Sequence, residues 1–128
     1  PTVRDADRRG VAAIGAAVRD LAERARAGRC TPAELDGATF TVSNLGSFGV
    51  RAFTAVPNPP QAAILAAGAA RDTPVVEDGA VVVRPLLTAT LTCDHRVLDG
   101  AGAARFLARL VELLDHPLAL LLDPEEER

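Results

Sequence analysis

Asp94-His95-Arg96-Val97-Leu98-Asp99-Gly100 places one of only two histidines four residues before an Asp-Gly pair, where an apolar strand pattern gives way to a helical one. A histidine at a strand end can have its ring held by backbone and carboxylate contacts while one nitrogen faces a cleft. That is what a general base near neutral pH needs. The plainer alternative is a histidine that caps the helix beginning at Gly100. The segment therefore reads as a catalytic corner between a strand and a helix, within a chain whose strands and helices together form one α/β unit.

Upstream of the corner, Val75-Val76 and Val81-Val82-Val83 flank Glu77-Asp78-Gly79-Ala80, and Asp-Gly between β-branched residues predicts a hairpin. Its second arm is expected to run through Leu86 to Cys93, with Pro85 marking a bulge or an unpaired edge position. Gln61 to Ala69 is an apolar run short enough for a buried strand, although its alanines leave helix open. Pro57-Asn58-Pro59-Pro60 is a rigid loop, because three prolines remove three donors within four positions. Thr39 to Ser43 alternates as a strand that delivers Ser43 to the glycine-punctuated turn Asn44-Leu45-Gly46-Ser47-Phe48-Gly49.

Further out, Val11, Ile14, Val18, Leu21 and Ala25 recur at helical steps, predicting a helix from Asp7 to Ala27 ended by Gly28. Thr31-Pro32-Ala33-Glu34 resembles a capping box with proline at the first helical position, and one helical turn should follow before Gly37. Downstream of the corner, Ala101 to Leu114 reads as the closing helix, with Ala104, Phe106, Leu107, Leu110, Leu113 and Leu114 on its apolar side.

The 128 residues fit one domain, and 48% apolar content suffices for a core. Only four phenylalanines and no Trp or Tyr contribute rings, so Leu, Val and Ala must build it. Such small side chains suit close packing against other surfaces. Net charge is −3, and the basic residues are scattered arginines that form no stripe for a phosphate backbone, so no nucleic-acid partner is expected. No membrane is expected either, for there is no run of 18 apolar residues and no signal-peptide pattern at the start. Cys30 and Cys93 are too few for a disulfide framework and lack zinc-site spacing, which suggests reduced thiols in a cytoplasmic protein. A chain that begins with Pro1 and lacks methionine reads as a piece of something longer.

Three segments together carry more information than any alone. Thr39 to Gly49, Asn58-Pro59-Pro60-Gln61-Ala62-Ala63-Ile64-Leu65 and Asp94 to Gly100, with Arg4-Asp5-Ala6-Asp7 before the first helix, resemble in order and spacing the catalytic domain of the dihydrolipoyl acyltransferases of 2-oxoacid dehydrogenase complexes. Residues 1–128 correspond to the C-terminal half of that domain. The first half, the lipoyl domain and the peripheral-subunit-binding domain are not in the sequence. The resemblance implies a chloramphenicol-acetyltransferase-like α/β (α+β) fold, a mixed sheet flanked by helices. It also implies a homotrimer with active sites between subunits, further assembly into a larger core, and contacts with the other subunits of the complex.

The implied reaction moves an acyl group between dihydrolipoamide and coenzyme A, the lipoyl-lysine being carried on a domain absent here. By resemblance His95 is the base that takes the thiol proton, a needed step because a thiol with pKa near 8.5 is mostly protonated at neutral pH. Ser43 then donates to the tetrahedral oxyanion, across the subunit boundary from the histidine. By the same resemblance Asp99 belongs with the catalytic group mainly by holding the corner through a structural ion pair, whose arginine partner would lie outside this sequence, and its loss should misplace His95. Gly100 is expected to let the chain turn tightly into the helix, and Asn58 either acts at the site or only orders its proline loop. The pattern looks most like the pyruvate-complex acetyltransferases, although succinyl and branched-chain types share much of it.

Other readings compete at single residues. A Cys93–His95 nucleophile pair is disfavoured, since side chains two apart on a strand lie about 7 Å from each other. His116 is placed to favour a helix C-terminus. No metal site is expected, because His95 and Asp99 find no third ligand. Peptide-synthetase condensation domains, which also use His-x-x-x-Asp-Gly, should lack the Ser43 and Asn58 segments, and a non-catalytic assembly component of the same complex is the other alternative. Pro117-Leu118-Ala119-Leu120-Leu121-Leu122 either packs on its own domain or anchors trimers to one another, with the charged tail from Asp123 to Arg128 limiting that docking.

Overall fold

The computed structural model describes residues 1–120, so Leu121, Leu122 and the charged tail lie outside the described residues. The described chain divides into two compact units, Thr39–Ala104, and residues 1–38 with 105–120.

The unit 39–104 is built on a mixed sheet. β1 (Thr41–Asn44) runs parallel to β2 (Ala63–Ala67), and β5 (Ala89–Cys93) runs antiparallel to β2 on its other side. β2 is the central strand, and its small side chains suit that place. Ala63, Ile64 and Ala66 are buried, and Gly68 just after them is buried too. A Cβ on Gly68 would lie 2.0 Å from the Arg51 carbonyl oxygen, so only glycine lets the Val50-Arg51 backbone approach there. Strand is therefore the outcome for the Gln61–Ala69 run, trimmed to five residues because Gln61 closes the preceding proline turn instead, its N–H donating to the Asn58 carbonyl at 2.9 Å.

The hairpin forms where Asp-Gly predicts it. β3 (Arg71–Glu77) and β4 (Ala80–Leu86) pair antiparallel, and Asp78 and Gly79 both take positive φ, 51° and 80°, as a two-residue hairpin turn of matching twist requires. Of the two readings of Pro85 the edge position holds: the register passes through Asp72 opposite Pro85 without a break, so there is no bulge, and the two-stranded ribbon leaves an open edge. One expectation needs correction, for the second arm does not continue to Cys93. It stops at Leu86, the Gly68 N–H donates to the Thr88 carbonyl at 3.0 Å, and β5 joins the other sheet. An unbroken apolar run carries no mark of where the chain changes partner.

In the other unit, α1 spans Val11–Arg26 and starts four residues later than its periodicity predicts. Ala6–Arg8 forms a separate 3-10 turn, and Gly10, extended, is the N-cap. Gly28, at φ 65°, follows the helix end as expected. α2 (Pro32–Leu35) carries the full capping box, with the Glu34 carboxylate accepting from the Thr31 N–H at 2.8 Å. Arg24 reaches the same carboxylate at 2.7 Å. Its guanidinium, followed by the Thr31 N–H, holds Glu34 down at about 2. A carboxyl depressed on folding stabilises above its ordinary value near 4.5 and loses that contribution as pH falls towards 2. The Thr31 amide resonance should accordingly titrate with a midpoint near 2, measured by proton–nitrogen correlation spectra. A midpoint of about 4 would mean the box is not formed.

α3 (Gly100–Asp115) is one residue longer at each end than the sequence predicts, and a 3-10 turn at Pro117–Leu120 follows it. Apolar side chains on α3 and on α1 are exposed: Val11, Val18, Val111 and Leu114 are each exposed by 49% or more. The hairpin valines Val76, Val81 and Val83 are exposed as well. Leu21, Ala63, Ile64 and Ala66 are the buried apolar residues among those described, so the composition is adequate for a core that this chain by itself leaves mostly open. No helix among the described residues is long and apolar enough to cross a membrane.

Candidate active site

Sheet register decides what the candidate residues can do together. Ser43 sits near the C-terminal end of β1, half-buried, opposite Ala66, which in turn faces Thr90. Its face is shared with Thr41, whose hydroxyl donates to Gln61 Oε1 at 2.5 Å and so ties the proline loop to β1. The turn beyond Ser43 is set by Asn44, whose Oδ1 accepts the Gly46 N–H at 2.8 Å, and by the Leu45 N–H donating to the Ala67 carbonyl. Sequence alone placed Asn44 in that loop. It is in fact the last residue of β1.

His95 lies at the other end of the sheet. β5 leaves the sheet at Cys93 opposite Ala63, and the Asp94 N–H then donates to the Ala62 carbonyl at 2.8 Å. Ala63 and Ala66 are three residues apart on β2, about 10 Å, and β1 and β5 lie on opposite sides of that strand. Ser43 and His95 of one chain are thus far outside hydrogen-bond reach of each other, a consequence of β1 and β5 running in opposite directions. His95 lies past the end of β5, in a turn, so the strand geometry expected for a Cys93–His95 pair does not apply.

The corner itself is held by Asp94, a residue the sequence reading did not single out. Its carbonyl accepts the N–H groups of Val97 and Leu98 at 2.9 and 3.0 Å. Its Oδ1 accepts the Arg96 N–H at 3.0 Å, and the Arg96 guanidinium forks onto both carboxylate oxygens, with Nη2 to Oδ2 at 2.6 Å. The guanidinium first, then that N–H, hold the carboxyl at about 2, so Asp94 is ionised throughout the neutral range. His95 is exposed, and among the described residues its ring has no hydrogen-bond partner.

Asp99 caps α3. Its Oδ1 accepts the Gly102 N–H at 2.6 Å and its carbonyl accepts the Ala103 N–H at 3.0 Å, which assigns helix capping to the aspartate rather than to His95. Among the described residues Asp99 makes no ion pair. Gly100 does not perform the tight turn expected of it: it is the first helical residue, without a positive φ, and a Cβ there would meet nothing within 4 Å. The demanding position is Gly102, where a Cβ would lie 2.8 Å from Leu98 Cδ1 and 3.1 Å from Asp99 Oδ1. Asn58 is exposed and contributes its carbonyl to the proline turn. A cleft of about 370 Å³ lined by Arg51, Arg71, Asp72, Leu86, Leu87 and Thr88 includes neither Ser43 nor His95.

Within the chain, then, a mixed sheet carries the Ser43 hydroxyl at one end and the exposed His95 on a turn at the other. Residues 1–122 match the family model described as 2-oxoacid dehydrogenases acyltransferase (catalytic domain), and the chain belongs to that family. It is 42% identical over 121 residues to the dihydrolipoyllysine-residue acetyltransferase component of pyruvate dehydrogenase complex from Zymomonas mobilis, covering 94% of this chain and 28% of that protein. It is 41% identical over 123 residues to the dihydrolipoyllysine-residue succinyltransferase component of 2-oxoglutarate dehydrogenase complex from Rickettsia felis, covering 96% of this chain and 31% of that protein.

The fold matches a crystallographic structure of Azotobacter vinelandii dihydrolipoamide acetyltransferase with a TM-score of 0.89 and 41% identity, over 95% of this chain and 50% of that one. That work concerned the catalytic roles of a serine, a histidine 52 positions later and an asparagine four positions beyond the histidine. The chain therefore spans about half of that solved chain and less than a third of these two curated relatives.

Proposed function

We propose that this chain supplies the C-terminal half of an acyltransferase catalytic domain that moves an acyl group, acetyl in our reading, between dihydrolipoamide and coenzyme A within a 2-oxoacid dehydrogenase complex. One observation carries the assignment. Ser43, His95 and Asp99 repeat the 52- and four-residue spacing of the serine, histidine and asparagine studied in the Azotobacter vinelandii enzyme. Aspartate stands here where that enzyme has asparagine, and either side chain offers the oxygen that caps α3.

In this mechanism neutral His95 takes the proton from the attacking thiol, and the thiolate adds to the thioester carbonyl. The Ser43 hydroxyl of a neighbouring subunit donates to the oxyanion so formed. Collapse of the tetrahedral species expels the second thiolate, which recovers the proton from His95, and no net proton is consumed. Asp99 supports the corner through the helix start. Asn58 keeps only a loop-ordering role. Coenzyme A and the lipoyl-lysine are substrates, the latter carried on a separate domain.

A homotrimer is part of the same reading, because the two groups of one chain stand at opposite ends of its sheet and a neighbouring copy can bring complementary ends together. The exposed apolar side chains favour a larger assembly and the other half of the domain as cover. A cytoplasmic setting accords with two free thiols, Cys30 and Cys93.

The test is transfer of acetyl from acetyl-coenzyme A to dihydrolipoamide, followed for the full-length assembled parent and for the 128-residue chain. Turnover by the parent and none by the chain alone is expected. Robust activity from the isolated chain contradicts the split-domain reading. An inactive assembled parent would leave this fold an assembly component of its complex.

A further inference from the structure

We infer that Asp94 is the positioning residue of His95, fixing the direction in which the histidine leaves the backbone. The inference rests on the proposed role of His95 as base. An orienting partner on the imidazole itself is the usual way to aim such a base, and among the described residues the His95 ring has none. The aim must then come from the backbone.

Four ties from one residue determine it. The Asp94 N–H is anchored on the Ala62 carbonyl before His95, and the Asp94 carbonyl takes the Val97 and Leu98 N–H groups after it. Oδ1 takes the Arg96 N–H, so the peptide on the far side of His95 is bonded to the side chain on its near side. The fork from the Arg96 guanidinium keeps the carboxylate in that orientation.

The bonds from Arg96, Val97 and Leu98 each close a ring that contains both backbone dihedrals of His95. Asp99, by contrast, bonds forward to Gly102 and Ala103 and closes no ring around His95. Arg96 is 88% exposed and its ion pair is screened by water, so the charge contributes little and the Oδ1 bond to the Arg96 N–H is the essential element. An amide oxygen can accept the same bond.

Asp94→Ala and Asp94→Asn, each made in the full-length assembled parent with and without His95→Ala, test the inference. Asp94→Ala should lower kcat about 10- to 100-fold, as a base misplaced by roughly an ångström does, and leave KM for both thiols within about twofold. Its backbone bonds survive, so its melting temperature should move little. Asp94→Asn should recover kcat to within about threefold of the parent. Adding Asp94→Ala to His95→Ala should cost nothing more, because a group that acts through His95 has no effect once the ring is gone.

A wild-type kcat in Asp94→Ala overturns the inference, as does an Asp94→Asn variant equally slow. So does an Asp94→Ala chain that fails to fold, which would make the side chain a fold determinant. A further loss in the His95→Ala background would place the action of Asp94 elsewhere. Near-normal turnover by His95→Ala alone would instead overturn the role of His95, separately from any result at Asp94.

Discussion

Replacing His95 by alanine in the full-length parent is expected to lower acyl transfer by about three orders of magnitude or more while leaving the fold intact. The attacking thiol is mostly protonated at neutral pH, so without a base only a small fraction of it is present as the nucleophilic thiolate. An imidazole at the site takes the thiol proton, and no other described side chain at the corner can replace it. Asp94 is ionised but committed to Arg96, and Asp99 is committed to the helix start. The His95 ring is exposed and makes no recorded bond among the described residues, so its loss should not disturb packing. Turnover numbers and a circular-dichroism melt of the same preparation provide the check. Near-normal turnover would remove His95 from the mechanism.

Ser43→Ala should lower kcat by about two to three orders of magnitude with little change in KM, if the hydroxyl bonds mainly to the oxyanion and not to the ground-state thioester. The hydroxyl makes no bond within the described chain, so the substitution removes no internal tie. Because register places Ser43 and His95 at opposite ends of one sheet, a sharper version of the experiment exists. Subunits carrying Ser43→Ala, mixed in equal amounts with subunits carrying His95→Ala and reassembled, should regain about a quarter of the parental activity, since a quarter of the subunit boundaries then pair an intact serine with an intact histidine. Mixed assemblies as inactive as their components would mean that the two groups work within one subunit. An unchanged rate in Ser43→Ala alone would make the serine a strand residue without a chemical part.

Much of the local structure was legible because its causes are local. Thr31 to Glu34 contains all the groups of a capping box, and Asp78-Gly79 contains both residues that tolerate positive φ. The helical periodicity of α1 is clear, yet it does not mark the start, since Asp7 to Gly10 continue the polar pattern while Gly10 is extended and begins the helix as its N-cap. The strand of β2 was legible as apolar and short. Its limits were not, because Gln61 and Gly68 are engaged by other parts of the chain.

The sequence by itself determined which chemistry is present, a histidine on a strand-to-helix corner and a serine near the end of a β-branched strand, together with the turns and caps around them. Tertiary structure alone decided how those groups are arranged. That β5 pairs antiparallel with β2 and not onward from the hairpin is a choice between non-local partners, and a continuous apolar run satisfies either. From that choice follow the opposite ends occupied by Ser43 and His95. The work of Asp94 likewise became visible only when the chain turned back on its own backbone, because a carboxylate beside a histidine in sequence does not reveal which N–H groups it will accept.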